Sequence, residues 1–222
     1  MPKHARDIAA ILLAAGGGSR LGGGKLLLPW RGEPLIAHIP RVLRQAEGLA
    51  SLTVVLGHGA DAVREALLPH VARLPVPVEL TLNPAWREGL STSLILGLTR
   101  ALAMPGGGAA RAALFLLGDQ PLVTPATVNA LIRAHHAALA ADPDHPATVP
   151  VYRGERGNPV ILSRRLFPSL MALSGDTGAR RILRGLGPEV LRVEVEDPGV
   201  VHDVDTPEAY KALPAGEERH AE

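Results

Sequence analysis

Six short apolar runs recur along the chain, at Ile8 to Ala15, Leu52 to Leu56, Val76 to Leu82, Ala112 to Leu117, Thr148 to Val151 and Val190 to Val195. Each has the length of a strand, and most are bounded by glycine, proline or charge. Between the early runs, Pro34 to Glu47, Ala60 to Leu68, Leu90 to Ala103 and Pro125 to Ala141 carry apolar residues three and four positions apart, as helices with one buried face do. Pro40 is expected to kink or interrupt the first, because it lacks the N–H that an interior turn needs. The βαβα alternation predicts a single α/β domain of three layers, with a mostly parallel twisted sheet covered by helices on both faces. Ligands of such sheets bind outside the carboxyl ends of the strands, so the loops after the apolar runs are where chemistry is to be sought. "MPGGGAAR" and "ADPDHP" read as a connector and a turn rather than domain boundaries, and the tail from 214 to 222 is expected to fray.

The loop after the first run, "GGGSRLGGGK", holds six glycines and a lysine. A dinucleotide fingerprint fails: counted from Gly16 its sixth position is Leu21, and counted from Gly17 its third is Ser19. A P-loop fails too, since its first glycine would fall on Ser19 and Lys25 is followed by Leu26. What remains is a loop whose backbone N–H groups can approach phosphate oxygens, with Ser19, Arg20 and Lys25 as further donors. The chain has only three lysines against twenty arginines, and one lies here, where a compact charge can follow a triphosphate. A plain surface turn is the alternative.

Asp119 ends the run "AALFLLG" and is placed like a ligand for Mg²⁺, with Mn²⁺ as a substitute, or else as a cap for the next turn. Asp203 and Asp205 in "HDVDTPEAY" share a strand-like spacing that would put both on one face, while Asp205 or Thr206 also suits the N-cap of a helix beginning at Pro207. "NPAWREGLSTSL" sets Asn83 after a strand and Ser91 and Ser93 at a helix opening, which favours anions, with a capped turn and Trp86 as a partial lid as the other reading. Polar, glycine-rich breaks at Arg156, Gly157 and Asn158 and at Asp176, Gly178 and Arg180 offer room for a second substrate, Gly157 by close backbone approach and Arg180 by pairing with a phosphate, or else are ordinary loops that end in Gly or Asp before a helix. His58 in "VLGHGAD" follows the second apolar run, on the side where a ligand is expected, but the nine histidines have no metal-binding spacing.

Composition removes other classes. A net charge of +1 with no basic stripe argues against nucleic acid, and no apolar run reaches membrane-spanning length. The chain has no cysteine, which excludes disulfides and thiolate sites. The first residues lack a signal-peptide cleavage pattern, so a cytoplasmic protein is expected, and no exposed apolar helix stands out, so a monomer is expected.

The pattern A-A-G-x-x-S-R-x-G, a glycine spacer, Lys25 and "LLLPWRGEPLI" closely resembles the first motif of the nucleotidyltransferases that attach a nucleotide to molybdopterin. "NPAWREGLSTSLILGL", "LFLLGDQPLVT", "RGNPVIL", "SGDTGARRIL" and "VHDVDTPEAY" follow in that family's order, and "GDQP" with "NPxWxxGxxxSL" is more similar to the molybdenum cofactor cytidylyltransferases than to the guanylyltransferases. The resemblance implies a glycosyltransferase-A-like NTP transferase domain, a nucleotide half to about residue 125 and an acceptor half from about 126 to 213. It implies CMP transfer from CTP, or GMP from GTP, to molybdopterin or its metal-bearing cofactor, and a molybdoenzyme as recipient. The implied nucleotide contacts are Leu13, Ala14, Ala15, Gly16, Gly17, Gly18, Ser19, Arg20 and Lys25, then Asn83, Gly89, Ser91, Ser93 and Asp119. Arg20, Lys25 and Asp119 are the catalytic set, Asp119 and Asp205 the metal pair, and Gln120 joins the acceptor residues named above. A sugar-phosphate acceptor and a non-catalytic delivery protein remain as alternatives.

Overall fold

The computed structural model describes residues 6–18, 21 and 23–215. In chain order the elements are β1 (Ile8–Ala14), β2 (Pro29–Trp30), β3 (Glu33–Pro34), α1 (His38–Arg44), β4 (Leu49–Leu56), α2 (Ala60–Val71), β5 (Val78–Leu82), α3 (Leu90–Ala103) and β6 (Ala112–Leu117). They continue as α4 (Pro125–Ala141), β7 (Ala147–Tyr152), β8 (Glu155–Arg156), β9 (Val160–Ser163), α5 (Phe167–Met171), α6 (Ala179–Leu186), β10 (Val190–Glu194) and α7 (Pro207–Lys211). Seven strands line up as β10-β7-β9-β6-β1-β4-β5, with β8 paired to β7, and β2 and β3 form a separate hairpin. No helix among the described residues is long and apolar enough to cross a membrane.

Alternation along β1 explains the three layers. Ile8, Ala10, Leu12 and Ala14 pack with α1, α2 and α4 on one face, while Ala9, Ile11 and Leu13 pack with α3, α5 and α6 on the other. Because both faces are covered, every residue of β1 is buried and the strand reads as unbroken apolar sequence. The chain runs from β1 outward through β4 to β5, then returns to β6 on the opposite side of β1. Strand order thus reverses between β1 and β6, and their carboxyl ends, followed by the glycine loop and Gly118-Asp119, open side by side.

The sheet is mostly parallel as expected, but β8 and β9 run antiparallel to their neighbours, which periodicity had not indicated. β9 pairs antiparallel with both β6 and β7, and it is only four residues long, beginning inside the "RGNPVIL" stretch and ending at Ser163. The first predicted helix is shorter than its apolar pattern: a 3-10 turn covers Leu35–Ala37 and α1 begins at His38. Pro40 falls in the opening turn of α1, where no N–H is needed, so it does not interrupt the helix. Asp203 and Asp205 lie in irregular backbone rather than a strand, and Thr206, whose hydroxyl accepts from Ala209 N–H at 3.2 Å, caps α7.

The β2–β3 hairpin turns through Arg31 and Gly32, both at positive φ. It anchors the carboxyl-terminal segment: the Trp30 indole donates to the Pro214 carbonyl at 2.9 Å and the Tyr210 hydroxyl to that of Pro29 at 2.5 Å. Pro214 is therefore tied down, contrary to the expected fraying from that residue, and 216–222 lie outside the described residues.

Between α4 and β7 the core turns polar. His135 is fully buried, its Nδ1 3.0 Å from the Thr148 hydroxyl, which also lies 3.0 Å from Nε2 of His145. Burial first, then the neighbouring His145, His136 and Arg111, push His135 down to about 3. Its folded value is below its unfolded one, so the stability it carries is fully present above the ordinary histidine range and is lost as pH falls. The unfolding free energy is expected to drop by about 1.4 kcal/mol per pH unit from pH 6 to 4 through this group. Urea titrations of wild type and His135→Gln across that range check it: the variant should have a visibly flatter slope, and equal slopes would refute the assignment.

Candidate active site

Three distant segments meet at one ammonium. Lys25 opens the 3-10 turn Lys25–Leu27 after the glycine loop, and its Nζ donates to Asp119 Oδ2 and to Asp205 Oδ1, each at 2.5 Å. The Lys25 side chain is only 8% exposed against 20% and 46% for the two carboxylates, so the cation is the buried member. Burial works against its charge, but Asp119 and then Asp205 outweigh that and raise Lys25 above its ordinary range.

Backbone contacts set this meeting. Gly118 N–H donates to the Leu13 carbonyl at 2.9 Å, which extends the β1–β6 ladder and fixes where Asp119 begins. Val204 N–H donates to the Asp119 carbonyl at 2.9 Å, and the Val204 side chain is buried with Trp30 and Leu35. The hairpin and the carboxyl-terminal segment thus hold Asp205 against Lys25. Asp203 takes another direction: its Oδ1 accepts from Gln120 Nε2 at 2.6 Å, and loss of solvent, then repulsion from Asp119, raises it above the usual carboxylate range.

A hollow of about 770 Å³ opens over the carboxyl ends of β1 and β6, lined among others by Leu13, Ala15, Gly16, Gly17, Ser93 and Asp119. Trp86 forms one wall, stacked edge-on with His58 at 5.5 Å between ring centres and covered by the Arg87 guanidinium at 4.3 Å. A second hollow of about 320 Å³ adjoins it, with Leu13, Leu90, Leu117 and Asp176 common to both, and it carries Arg156, Gly157, Asn158, Gly178, Arg180 and Asp203. Members of both groups of sequence candidates therefore face these two adjoining hollows.

Several candidates are spent inside the protein. Asn83 is buried; its amide donates to Thr92 and Ser93 hydroxyls at 2.9 Å each, and its oxygen accepts from Ala85 N–H at 3.0 Å. The Ser91 hydroxyl donates to the Gly175 carbonyl at 2.7 Å, so Asn83 and Ser91 stitch the start of α3 instead of lining either hollow. Gln120 is buried and holds Asp203 and the Val200 carbonyl rather than facing the second hollow. Gly157 is needed because the Val200 carbonyl would lie 2.1 Å from any Cβ there, so the close backbone approach is internal. Gly89, at φ +121°, similarly lets Gly175 and Asp176 press on the start of α3, closing a wall of the first hollow. Ala14 points into the core, Gly18 packs over the Lys25 side chain, and Ser19 and Arg20 lie outside the described residues.

Sequence reasoning named neither Arg87 nor the apolar wall residues Leu90, Leu94, Phe115, Leu117 and Leu183. The last five are core-like letters in helix or strand patterns, and only the third dimension turns them toward a ligand.

Residues 10–192 match the MobA-like NTP transferase domain. The chain belongs to that family. As a MobA-like nucleotidyltransferase it is 31% identical over 214 residues to nicotine blue oxidoreductase of Paenarthrobacter nicotinovorans, covering 93% of this chain and 96% of that one. It is 34% identical over 154 residues to 2-C-methyl-D-erythritol 4-phosphate cytidylyltransferase of Cereibacter sphaeroides, covering 68% of this chain and 64% of the relative. Rv0371c from Mycobacterium tuberculosis H37Rv is similar with a TM-score of 0.74 at 32% identity, over 93% of this chain and 96% of that one. The manganese complex of Rv0371c gives 0.71 at 30%, over 93% and 97%.

If Lys25 holds the two carboxylates together, the Lys25→Met variant should lose about 1–3 kcal/mol of stability, less than for a fully buried ion pair because both carboxylates reach solvent. Urea unfolding of Lys25→Met, Asp119→Asn and the double variant measures the coupling. The double variant should lose less than the sum of the singles, whereas strict additivity would mean the pair does not interact in solution.

Proposed function

We propose that this MobA-like protein transfers CMP from CTP to the terminal phosphate of molybdopterin or its metal-bearing cofactor, releasing pyrophosphate. The observation that carries the reading is the cluster of Lys25, Asp119 and Asp205, whose Asp119 lines a glycine-bearing hollow that adjoins an arginine-bearing one. The first hollow would take the triphosphate, with the loop after β1 against its oxygens. The second would take the acceptor, with Arg156 and Arg180 orienting its phosphate.

The acceptor phosphate is already ionised, so the attack on the α-phosphorus needs no general base. A bond forms from the acceptor oxygen to that phosphorus, and the bond to the β-phosphate oxygen breaks with pyrophosphate leaving. The chain's contribution is alignment and charge: Lys25 and, by sequence, Arg20 on the departing phosphates.

The donors suit a hard divalent cation. Asp119 Oδ1 is buried without a hydrogen-bond partner, and Asp119 and Asp205 already converge on one positive charge. Among the described residues no group of three or more His, Cys, Asp or Glu is arranged to hold a metal, in keeping with an ion that takes few protein ligands and shares phosphate oxygens. Asp119 and Asp205 would hold Mg²⁺ or Mn²⁺; a manganese complex is known of Rv0371c. When bound, such an ion would supply positive charge to offset that of the nucleotide's phosphates. The cytidylyl choice rests on the "GDQP" motif and on the likeness to a cytidylyltransferase.

The test is pyrophosphate release with CTP, GTP or ATP against molybdopterin, metal-bearing cofactor or sugar 1-phosphates. CTP with a molybdopterin acceptor should turn over, and Asp119→Asn should lower kcat roughly a thousandfold with its fold intact. A preference for GTP would overturn the base assignment, and turnover with a sugar phosphate alone would overturn the acceptor. Tight product binding without turnover would favour cofactor delivery, and NAD(P)H oxidation in place of pyrophosphate release would overturn the transfer reading.

A further inference from the structure

Asp197 is a buried carboxylate, yet none of the ion pairs among the described residues includes it. Hydrogen bonds replace the water it has lost. Its Oδ2 accepts from Thr124 N–H at 2.9 Å, from the Thr124 hydroxyl at 2.8 Å and from the Thr127 hydroxyl at 2.6 Å, and its Oδ1 accepts from Gly199 N–H at 2.9 Å. Thr124 is the N-cap of α4, so the positive end of that helix supplies the charge that no side chain does.

These four donors come from two segments that carry the two site carboxylates. Thr124 and Thr127 follow the loop that begins at Asp119, and Gly199 belongs to the 3-10 turn Pro198–Val201 that leads into Asp203 and Asp205. The turn lies directly on the loop, since a Cβ at Gly199 would stand 2.4 Å from the Leu122 carbonyl carbon. From there the contacts run toward the site in order. The Val200 carbonyl accepts from Asn158 N–H at 2.8 Å and from Gln120 Nε2 at 3.3 Å, the same Nε2 donates to Asp203, and Val204 N–H donates to the Asp119 carbonyl.

We propose that Asp197 is a positioning residue for the Asp119 and Asp205 pair, clamping the far side of the two segments whose near side is closed by the Val204 to Asp119 bond. It touches no hollow and acts only through the backbone it fixes. Its importance for turnover rests on the transfer reading above; the alignment of the pair does not. An asparagine of the same size cannot replace it. Whichever way the amide is turned, its NH2 faces the N–H of Thr124 or of Gly199, and neither can accept a hydrogen bond.

The chain has three lysines, which makes Asp197→Asn readable by labelling. In ligand-free protein, acetylation of Lys25 scored by mass spectrometry against exposed Lys211 should be about tenfold faster in the folded variant than in wild type, because a shifted Asp205 no longer holds the lysine. Leu139→Ala, a cavity at the other end of α4, also costs stability but should leave that ratio unchanged. In the transfer reaction Asp197→Asn should lower kcat about a hundredfold with the KM for CTP little changed. A labelling ratio equal to wild type, or one raised as much by Leu139→Ala, overturns the positioning role. A raised ratio with kcat unchanged overturns it as well, leaving Asp197 a structural clasp. If wild type releases no pyrophosphate with any nucleotide and acceptor, the transfer reading fails, and the labelling ratio still decides whether Asp197 aligns the pair. Should Asp197→Asn not fold, Thr127→Val, which removes a single donor, decides by the same readings.

Discussion

The ammonium of Lys25 between Asp119 and Asp205 is the constraint on which the rest of this site depends. Its three members come from a glycine loop, a strand end and an irregular segment near the carboxyl end, separated by most of the chain. None of these segments is held there by the charges alone. The Gly118 N–H to Leu13 bond, the Val204 N–H to Asp119 bond and the hairpin clamp on Tyr210 and Pro214 deliver the carboxylates, and the lysine then offsets their mutual repulsion.

The topology explains why the site lies where it does. Reversal of strand order between β1 and β6 leaves a crevice at their carboxyl ends, and the absence of side chains on Gly16 and Gly17 keeps it open. The two hollows then run over β6 and β9 toward α6, polar at their ends and apolar in the middle. The antiparallel strand β9 matters here: it carries Val160 into the floor and sets β7, with β8 and Arg156, at the far end.

Much of this was legible in the sequence because strands buried on both faces betray themselves as unbroken apolar runs, and the glycine loop and Asp119 stand at their ends, while Asp205 was marked only by the motif that precedes the Thr206 cap. The four-residue β9 was too short to have a period, and α5 and α6 are short helices whose letters read as loop. Asn83, Ser91 and Gln120 illustrate another limit. A polar residue near a site can serve as ligand or as internal stitch, and only its hydrogen-bond partners distinguish the two. Asp197 went unremarked because its meeting with Thr124 and Thr127 depends on the fold, which sequence spacing does not carry.

The most direct measurement is a crystal structure grown with manganese and a non-hydrolysable CTP analogue, with the metal located by its anomalous scattering. The manganese should be bound by both Asp119 and Asp205, with the analogue's phosphates in the hollow lined by Gly16, Gly17 and Asp119. Metal bound away from that carboxylate pair, or phosphates seated outside that hollow, would contradict this reading of the site.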